Sequence, residues 1–440
     1  MQANPHDLPA VHQPHHPDPQ ALAAVVAELE SGPPLVLPDE CDRLRAQLAA
    51  VARGEAFLLQ GGDSAETFDA LSADRIRDRL RTLLQMSTVL SYAVGVPVVK
   101  VSRIAGRYAR PRSVPRGTRP ARTGPSGAPD PERLREMYQA SVSTLNVVRA
   151  FTAAGGADPC QVHAWNQDFV KASPAGRRYE ELARRIDAAL AFIRACGAAP
   201  GAFAAVEFFA SQEALLLDYE AALTHADPRP DARADDLYDG SGHLLRIGRR
   251  TRQLDGAQVE FASRIRNPIV VELADPASHE ALQYIERLDP EREPGRLTFV
   301  VGMGADAIRD KLPELVEKVA ASGATVGWVS DPMRGNTVQA PSGHRTCRFD
   351  AILDEVSGFF EVHRALGTHA GGIQIELTTE DVTECAGGSG EVLRDDLRQR
   401  RRTAREPRLN RSQSLDLAFL VAERYALPPT PAARSNPAAR

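Results

Sequence analysis

After Arg53 the chain repeats one arrangement, a short apolar run of strand length followed by a segment long enough to form a helix. The runs are AFLLQ (56–60), PVVKV (97–101), AVEFF (205–209), PIVVEL (268–273), LTFVV (297–301), TVGWV (325–329) and GIQIEL (372–377). They are β-branched or aromatic in part and apolar on both faces, as strands buried between layers are. Parallel strands need a crossover between them, and the intervening segments are long enough to supply a helix each time. Two α/β architectures fit: a closed parallel barrel or an open doubly wound sheet.

The flanks divide the chain further. Residues 1–20 are rich in Pro and His and lack periodicity, as expected of an arm that orders by docking on a neighbouring subunit or on the barrel. Its histidines His12, His15 and His16 sit on a short loop that offers no geometry to fix metal ligands. Helical patterning over 19–52 completes an N-terminal extension, residues 1–52. The unit 53–427 carries the strands, with a helical insertion at about 130–200 and a loop rich in Pro and Arg over 110–132. Residues 428–440 read as a disordered tail.

Composition narrows the class of partner. A formal charge of -5 gives no overall attraction to nucleic acid or to an anionic membrane surface. No run approaches the ~20 apolar residues of a membrane helix, and the opening lacks the basic start and apolar run of a signal peptide, so the reading is cytoplasmic. Five scattered cysteines with no CxxC pair give neither a disulfide framework nor an ordinary zinc site.

Barrel enzymes work at the C-terminal ends of their strands, and there this chain is charged. Asp63, Ser64 and Glu66 follow the first run, Lys100 and Arg103 lie on and after the second, and Glu207 is on the third. Arg246, Arg249, Arg250 and Arg252 precede the fourth run, which carries Glu272; Asp331 and Arg334 follow the sixth, and Glu376 ends the last. Convergent arginines suit a phosphorylated or carboxylated small molecule, because the guanidinium fork matches those anions bidentately.

The segments LLQGGDSAE, VVKVSRIAGRYARPRS, EFFASQEALLLDYE, RTRQLDGAQVEF, RNPI, WVSDPMRGNT, GFFEVHRALGTHAGGIQIELT, DVTECAGG and PRLNRSQSLDLAFLVAE closely resemble, in order, those of class II 3-deoxy-7-phosphoheptulonate (DAHP) synthases. The resemblance covers roughly 13–427 and implies a (β/α)8 TIM barrel with an N-terminal extension and a helical insertion, assembled as a homo-oligomer. It also implies condensation of phosphoenolpyruvate with erythrose 4-phosphate at the start of aromatic biosynthesis, with a divalent metal polarising the sugar aldehyde.

Position by position, the resemblance implies changed chemistry. Ser64 stands where the family has a cysteine ligand, Arg334 where it has histidine and Glu406 where it has aspartate; Glu376 is unchanged. Serine is a poor ligand beside a thiolate, and an arginine has no lone pair to donate. The expectation is therefore no cofactor, with Mn2+, Co2+ or Mg2+ as the alternative if the site is kept. Around the phosphoenolpyruvate pocket, Glu272 replaces lysine, Arg249 replaces glutamate, Gly302 replaces arginine, Gln212 replaces histidine and Arg110 replaces lysine, whereas Arg103, Arg250 and Glu207 match. Glu272 and Arg249 look like an exchanged charge pair.

Matched, charged replacements point to an enzyme repurposed to a related carbon–carbon or carbon–nitrogen bond-forming reaction on a small anionic carbonyl compound, in specialised metabolism. An authentic DAHP synthase and a non-catalytic partner or regulator are the alternatives. In the first reading Arg103 and Arg250 hold the anion, Arg334 is the electrophile paired with Glu376 and Glu406, and one of those two carboxylates orients it or acts as base. Lys100 is a further catalytic candidate as a Schiff-base amine, its pKa lowered by Arg103.

Overall fold

The computed structural model describes residues 8–11, 13–63, 66–68, 71–106, 108, 130–197, 206–273, 278–340, 343–388 and 406–425. The tail expected over 428–440 and most of the loop expected over 110–132 therefore lie outside the described residues. Strands are numbered along the chain. β1 (Phe57–Gly62), β2 (Val98–Arg103) and β3 (Phe209–Glu213) belong to the barrel, and β4 (Thr224–Ala226) with β5 (Leu237–Asp239) makes an antiparallel ribbon outside it. β6 (Leu244–Ile247), β7 (Ile269–Leu273), β8 (Leu297–Val301), β9 (Gly327–Ser330) and β12 (Gly372–Glu376) complete the ring in the order β1-β12-β9-β8-β7-β6-β3-β2. β10 (Thr337–Gln339), β11 (Arg345–Arg348) and β13 (Cys385–Ala386) form a small sheet beside it. Of the two architectures the sequence allows, the closed α/β barrel is the one adopted.

Two strands depart from the sequence reading. The third begins at Phe209, so of AVEFF only the last residue belongs to it. β6, with the sequence LLRI, is too short and too closely bounded by glycine to stand out as an apolar run.

Side chains alternate across a strand, and the barrel uses both parities. Inward-facing Leu58, Val101, Phe209, Leu244, Val270, Val300 and Val329 share one buried cluster with Leu44, Leu48 and Val51. Those last three belong to α2 (Pro38–Ala52), which closes the N-terminal end of the barrel. The opposite parity, Phe57, Leu59, Leu245, Ile247, Ile269, Phe299 and Ile375 among others, packs against the surrounding helices. These helices include α3 (Ala73–Val94), α8 (Ala257–Arg264), α9 (Ser278–Leu288), α10 (Ile308–Ala321), α12 (Phe349–Leu366) and α13 (Arg411–Tyr425).

Between β2 and β3 lie three further helices, α4 (Glu132–Ala153), α5 (Pro159–Ala172) and α6 (Gly176–Ala195). Tyr179 of α6 stacks on Phe419 of α13 at 4.5 Å and donates to Asp416 at 3.1 Å, which fastens this group to the barrel wall. At the N-terminus, α1 (Pro19–Ser31) follows a segment that lies on the barrel's own outer elements. Gln13 donates to the Leu215 carbonyl at 2.6 Å and accepts from the amide of Leu217, which opens the short helix α7 (Leu217–Ala222); Gln258 of α8 donates to the Val11 carbonyl at 3.1 Å. Of the arm's histidines, His12 lies outside the described residues, and His16 is buried. Among the described residues no helix is long and apolar enough to cross a membrane.

Candidate active site

Two residues beyond the inward apolar layer, the same alternation turns polar. Gln60 follows Leu58, Arg103 follows Val101, Ser211 follows Phe209, Arg246 follows Leu244 and Glu272 follows Val270. Gln60 donates to Ser211 Oγ at 3.1 Å, and Gln374 donates to Asp331 Oδ2 at 2.7 Å, so hydrogen bonds link the uncharged polar residues at this level.

The charged residues form interlocked ion pairs. Arg103 of β2 pairs with Glu376 of β12 across the intervening β1, each side chain only 1% exposed. Glu272 is held between two cations, pairing with Arg246 and, at 3.2 Å, with Arg334 Nη1. Arg334 Nε also lies 3.5 Å from Asp331 Oδ2. Burial opposes the charge on Arg334, but Asp331, Glu376, Glu406 and Glu213 outweigh it and hold the guanidinium above its ordinary pKa. Glu406, at the edge, accepts from Arg345 Nη1 at 2.8 Å.

Local chain geometry fixes Arg334. It sits in α11 (Pro332–Gly335), a single turn directly after β9, whose first amide at Met333 is capped by Asp331 Oδ1 at 3.2 Å. Thr337 Oγ1 donates to the Met333 carbonyl at 2.8 Å, and Asn336 Nδ2 donates to Pro332 O at 2.8 Å and to Glu355 Oε2 at 2.7 Å. Glu355, on α12, also accepts from the Met303 amide at 2.8 Å, which ties the loop after β8 to the turn after β9. Burial pushes the Glu355 carboxyl up to about 7 in spite of these donors.

On the mouth, Arg249 and Arg250 follow β6, are exposed, and make no ion pair with any described residue. Burial pulls the pKa of Arg249 down, and Arg334 and Arg252 add to the effect. Two guanidinium groups outside any ion pair have the chemistry to meet a small, multiply charged anion.

Several candidates read from the sequence need correcting. Lys100 lies between inward-facing Val99 and Val101, so its side chain takes the outer face, where Nζ donates to the Val98 carbonyl at 2.7 Å; burial lowers its pKa to about 8 there. It is not at the mouth. Glu207 precedes β3 and lies at the opposite end of the barrel, where it is 40% exposed and pairs with Arg43 of α2 at 2.9 Å and with Gln47. Gln212 also faces outward and donates to Glu220 at 3.1 Å. The exchanged charge pair is not Glu272 with Arg249: Glu272 meets Arg246 and Arg334. Nor does Arg334 pair directly with Glu376 or Glu406, which Arg103 and Arg345 engage. Ser64 and Arg110 lie outside the described residues.

Arg246 and Asp331 are central to the cluster, yet the sequence reading placed them at the strand ends without giving either a role. The signal that finds them is parity: each lies two residues beyond an inward-facing apolar residue, Leu244 and Val329.

The metal ligands that the resemblance implies do not fit a divalent cation here. A guanidinium occupies one ligand position, and the carboxylates of Glu376 and Glu406 are already engaged by arginines. Among the described residues no group of three or more His, Cys, Asp or Glu side chains is arranged to hold a metal.

A barrel mouth lined with arginines is chemically suited to phosphorylated or carboxylated metabolites. The sequence profile of the Class-II DAHP synthetase family matches residues 2–422. A Streptomyces coelicolor protein named phospho-2-dehydro-3-deoxyheptonate aldolase is 66% identical over 435 residues, 95% of this chain and 96% of that protein. A Mycolicibacterium smegmatis phospho-2-dehydro-3-deoxyheptonate aldolase, AroG, is 51% identical over 429 residues, 94% of this chain and 92% of its own length. Among solved structures, a truncated 3-deoxy-D-arabino-heptulosonate 7-phosphate synthase from Thermotoga maritima is 12% identical with a TM-score of 0.36, covering 84% of this chain and 86% of its own. The chain belongs to the class II DAHP synthase family.

This overturns the expectation of a repurposed reaction. Identity of 66% along nearly the whole of both chains, with a relative named phospho-2-dehydro-3-deoxyheptonate aldolase, favours the family's own chemistry over a changed substrate. The replaced charges misled because they were matched to the wrong partners: Glu272 meets Arg246 and Arg334, not Arg249.

Proposed function

We propose that this protein is a DAHP synthase, joining phosphoenolpyruvate to erythrose 4-phosphate with release of inorganic phosphate. The observation that carries the reading is the full-length 66% identity with a protein named phospho-2-dehydro-3-deoxyheptonate aldolase. The mouth chemistry supports it. Phosphoenolpyruvate brings a carboxylate and a phosphate, and Arg249 and Arg250 offer charged donors that no described carboxylate engages. Arg103 has no described partner besides Glu376, so its remaining donors face the same anion.

In this reading Arg250 and Arg249 bind the phosphate, Arg103 holds the carboxylate, and Glu272 and Glu376 set the positions of the arginines around them. The family's place at the start of aromatic biosynthesis and its homo-oligomeric assembly come with the same reading. The test is an assay of purified protein for phosphoenolpyruvate consumed only when erythrose 4-phosphate is present, with stoichiometric phosphate release and the seven-carbon product identified by mass spectrometry. Saturable turnover is the expected result; none with or without added Mn2+ or Co2+ overturns the reading.

A further inference from the structure

The synthase reading leaves one chemical need open: something must stabilise the charge that develops on the aldehyde oxygen. We propose that the guanidinium of Arg334 does this in place of a divalent cation, so that this chain runs the condensation as a metal-independent enzyme. The inference rests on the synthase activity proposed above.

Three replacements act as one set. Arg334 brings a cation to a position where the family has a metal-binding histidine. Glu272, where the family has lysine, accepts that cation at 3.2 Å; a lysine there would face Arg334 and Arg246 with like charge. Gly302, where the family has arginine, leaves the space. A Cβ at 302 would lie 2.6 Å from the Asp331 carbonyl oxygen, so a side chain there would force a shift in the backbone that leads into the Arg334 turn. One arginine is lost at 302 and another gained at 334, together with the carboxylate that holds it.

Position and preorganisation suit the task. Arg334 stands directly beyond β9, on a turn pinned by Asp331, Asn336 and Thr337. Its ion pairs with Glu272 and Asp331 orient the group without consuming it: no direct hydrogen bond to another described residue accompanies them. Donors fixed in advance, in a water-poor site, are what stabilise a developing oxyanion. In the step itself, C3 of phosphoenolpyruvate bonds to the aldehyde carbon and the C=O π pair moves to oxygen. That oxygen, beside the Arg334 N–H groups, takes a proton; water adds at the electron-poor C2 and gives one proton back to solvent, and the C2–O bond then breaks, so that inorganic phosphate leaves with the second proton and C2 becomes a ketone.

The experiment compares the wild-type protein with R334Q and R334A, each checked for folding by circular dichroism. The expected result is that wild-type protein holds far less than one metal per chain by elemental analysis and keeps its turnover after dialysis against EDTA. R334Q loses about 10²–10³-fold in kcat, the scale for removing one oxyanion donor, with a much smaller change in KM for phosphoenolpyruvate. Millimolar guanidinium restores part of the activity of R334A, which a merely structural arginine would not allow. Stoichiometric metal together with loss of turnover in EDTA overturns the inference and leaves the synthase reading standing. No turnover under any condition overturns both. Adding S64C and E272K to R334H should create a chain that binds Mn2+ by calorimetry where the wild type does not; equal binding by the two also overturns it.

Discussion

The two ends of the barrel solve opposite problems with the same eight strands. At the N-terminal end, α2 packs Leu44, Leu48 and Val51 against Leu58, Val101, Phe209 and Val300 in one apolar cluster. Two residues further along each strand, the other end gathers Arg103, Arg246, Arg334, Glu272, Asp331 and Glu376 into a space where most are nearly without solvent. The first end stabilises by area buried and packing density. The second contributes little net stability, because desolvation of buried charges offsets much of their attraction. It persists because every charge is matched, and that matching makes it a site.

Perturbing each end should therefore fail differently. The largest effect is expected from Arg103→Ala, which leaves Glu376 buried without its cation: about 3–5 kcal/mol lost in urea unfolding, and activity lost with it. Leu48→Ala, at the apolar end, should cost about 2–5 kcal/mol yet leave kcat per folded molecule unchanged. A kcat that falls with stability in this variant would break the separation of the two ends.

Glu355 tests the charged end by pH. Its carboxyl is raised from 4.5 to about 7 in the folded protein, so the fold binds that proton more tightly than the unfolded chain does. The resulting stability is fully present below pH 4.5 and is lost as pH rises through about 7. Relative to Glu355→Gln, the wild type should lose about 2–3 kcal/mol between pH 5 and pH 8. Parallel pH profiles for the two proteins would show that the group titrates normally.

Arg250→Ala should raise KM for phosphoenolpyruvate about tenfold or more, the scale of about 1.5–3 kcal/mol for a charged hydrogen bond, with no change in melting temperature. The smallest effect is expected at Glu207, exposed beside Arg43 at the far end: Glu207→Ala should shift stability by less than about 1 kcal/mol and leave kinetics alone.

Much of the barrel was legible because apolar runs of strand length, spaced by helix-sized segments, have few other uses. β6 escaped because LLRI is four residues bounded by glycines, and the start of β3 was misplaced because Val206 and Phe208 are as apolar as the strand itself. Misplacing that start moved Glu207 from one end of the barrel to the other.

By itself the sequence determined the family, the α/β class and the charged character of the strand ends. Only the tertiary structure decided which charges meet. A parallel strand in a barrel is apolar on both faces, so Val98, Val99 and Val101 give no hint of which parity points inward. Closure and register made that choice. They sent Lys100 to the outer wall, brought Arg103 to Glu376, and set Glu272 between two arginines that lie 26 and 62 residues away along the chain.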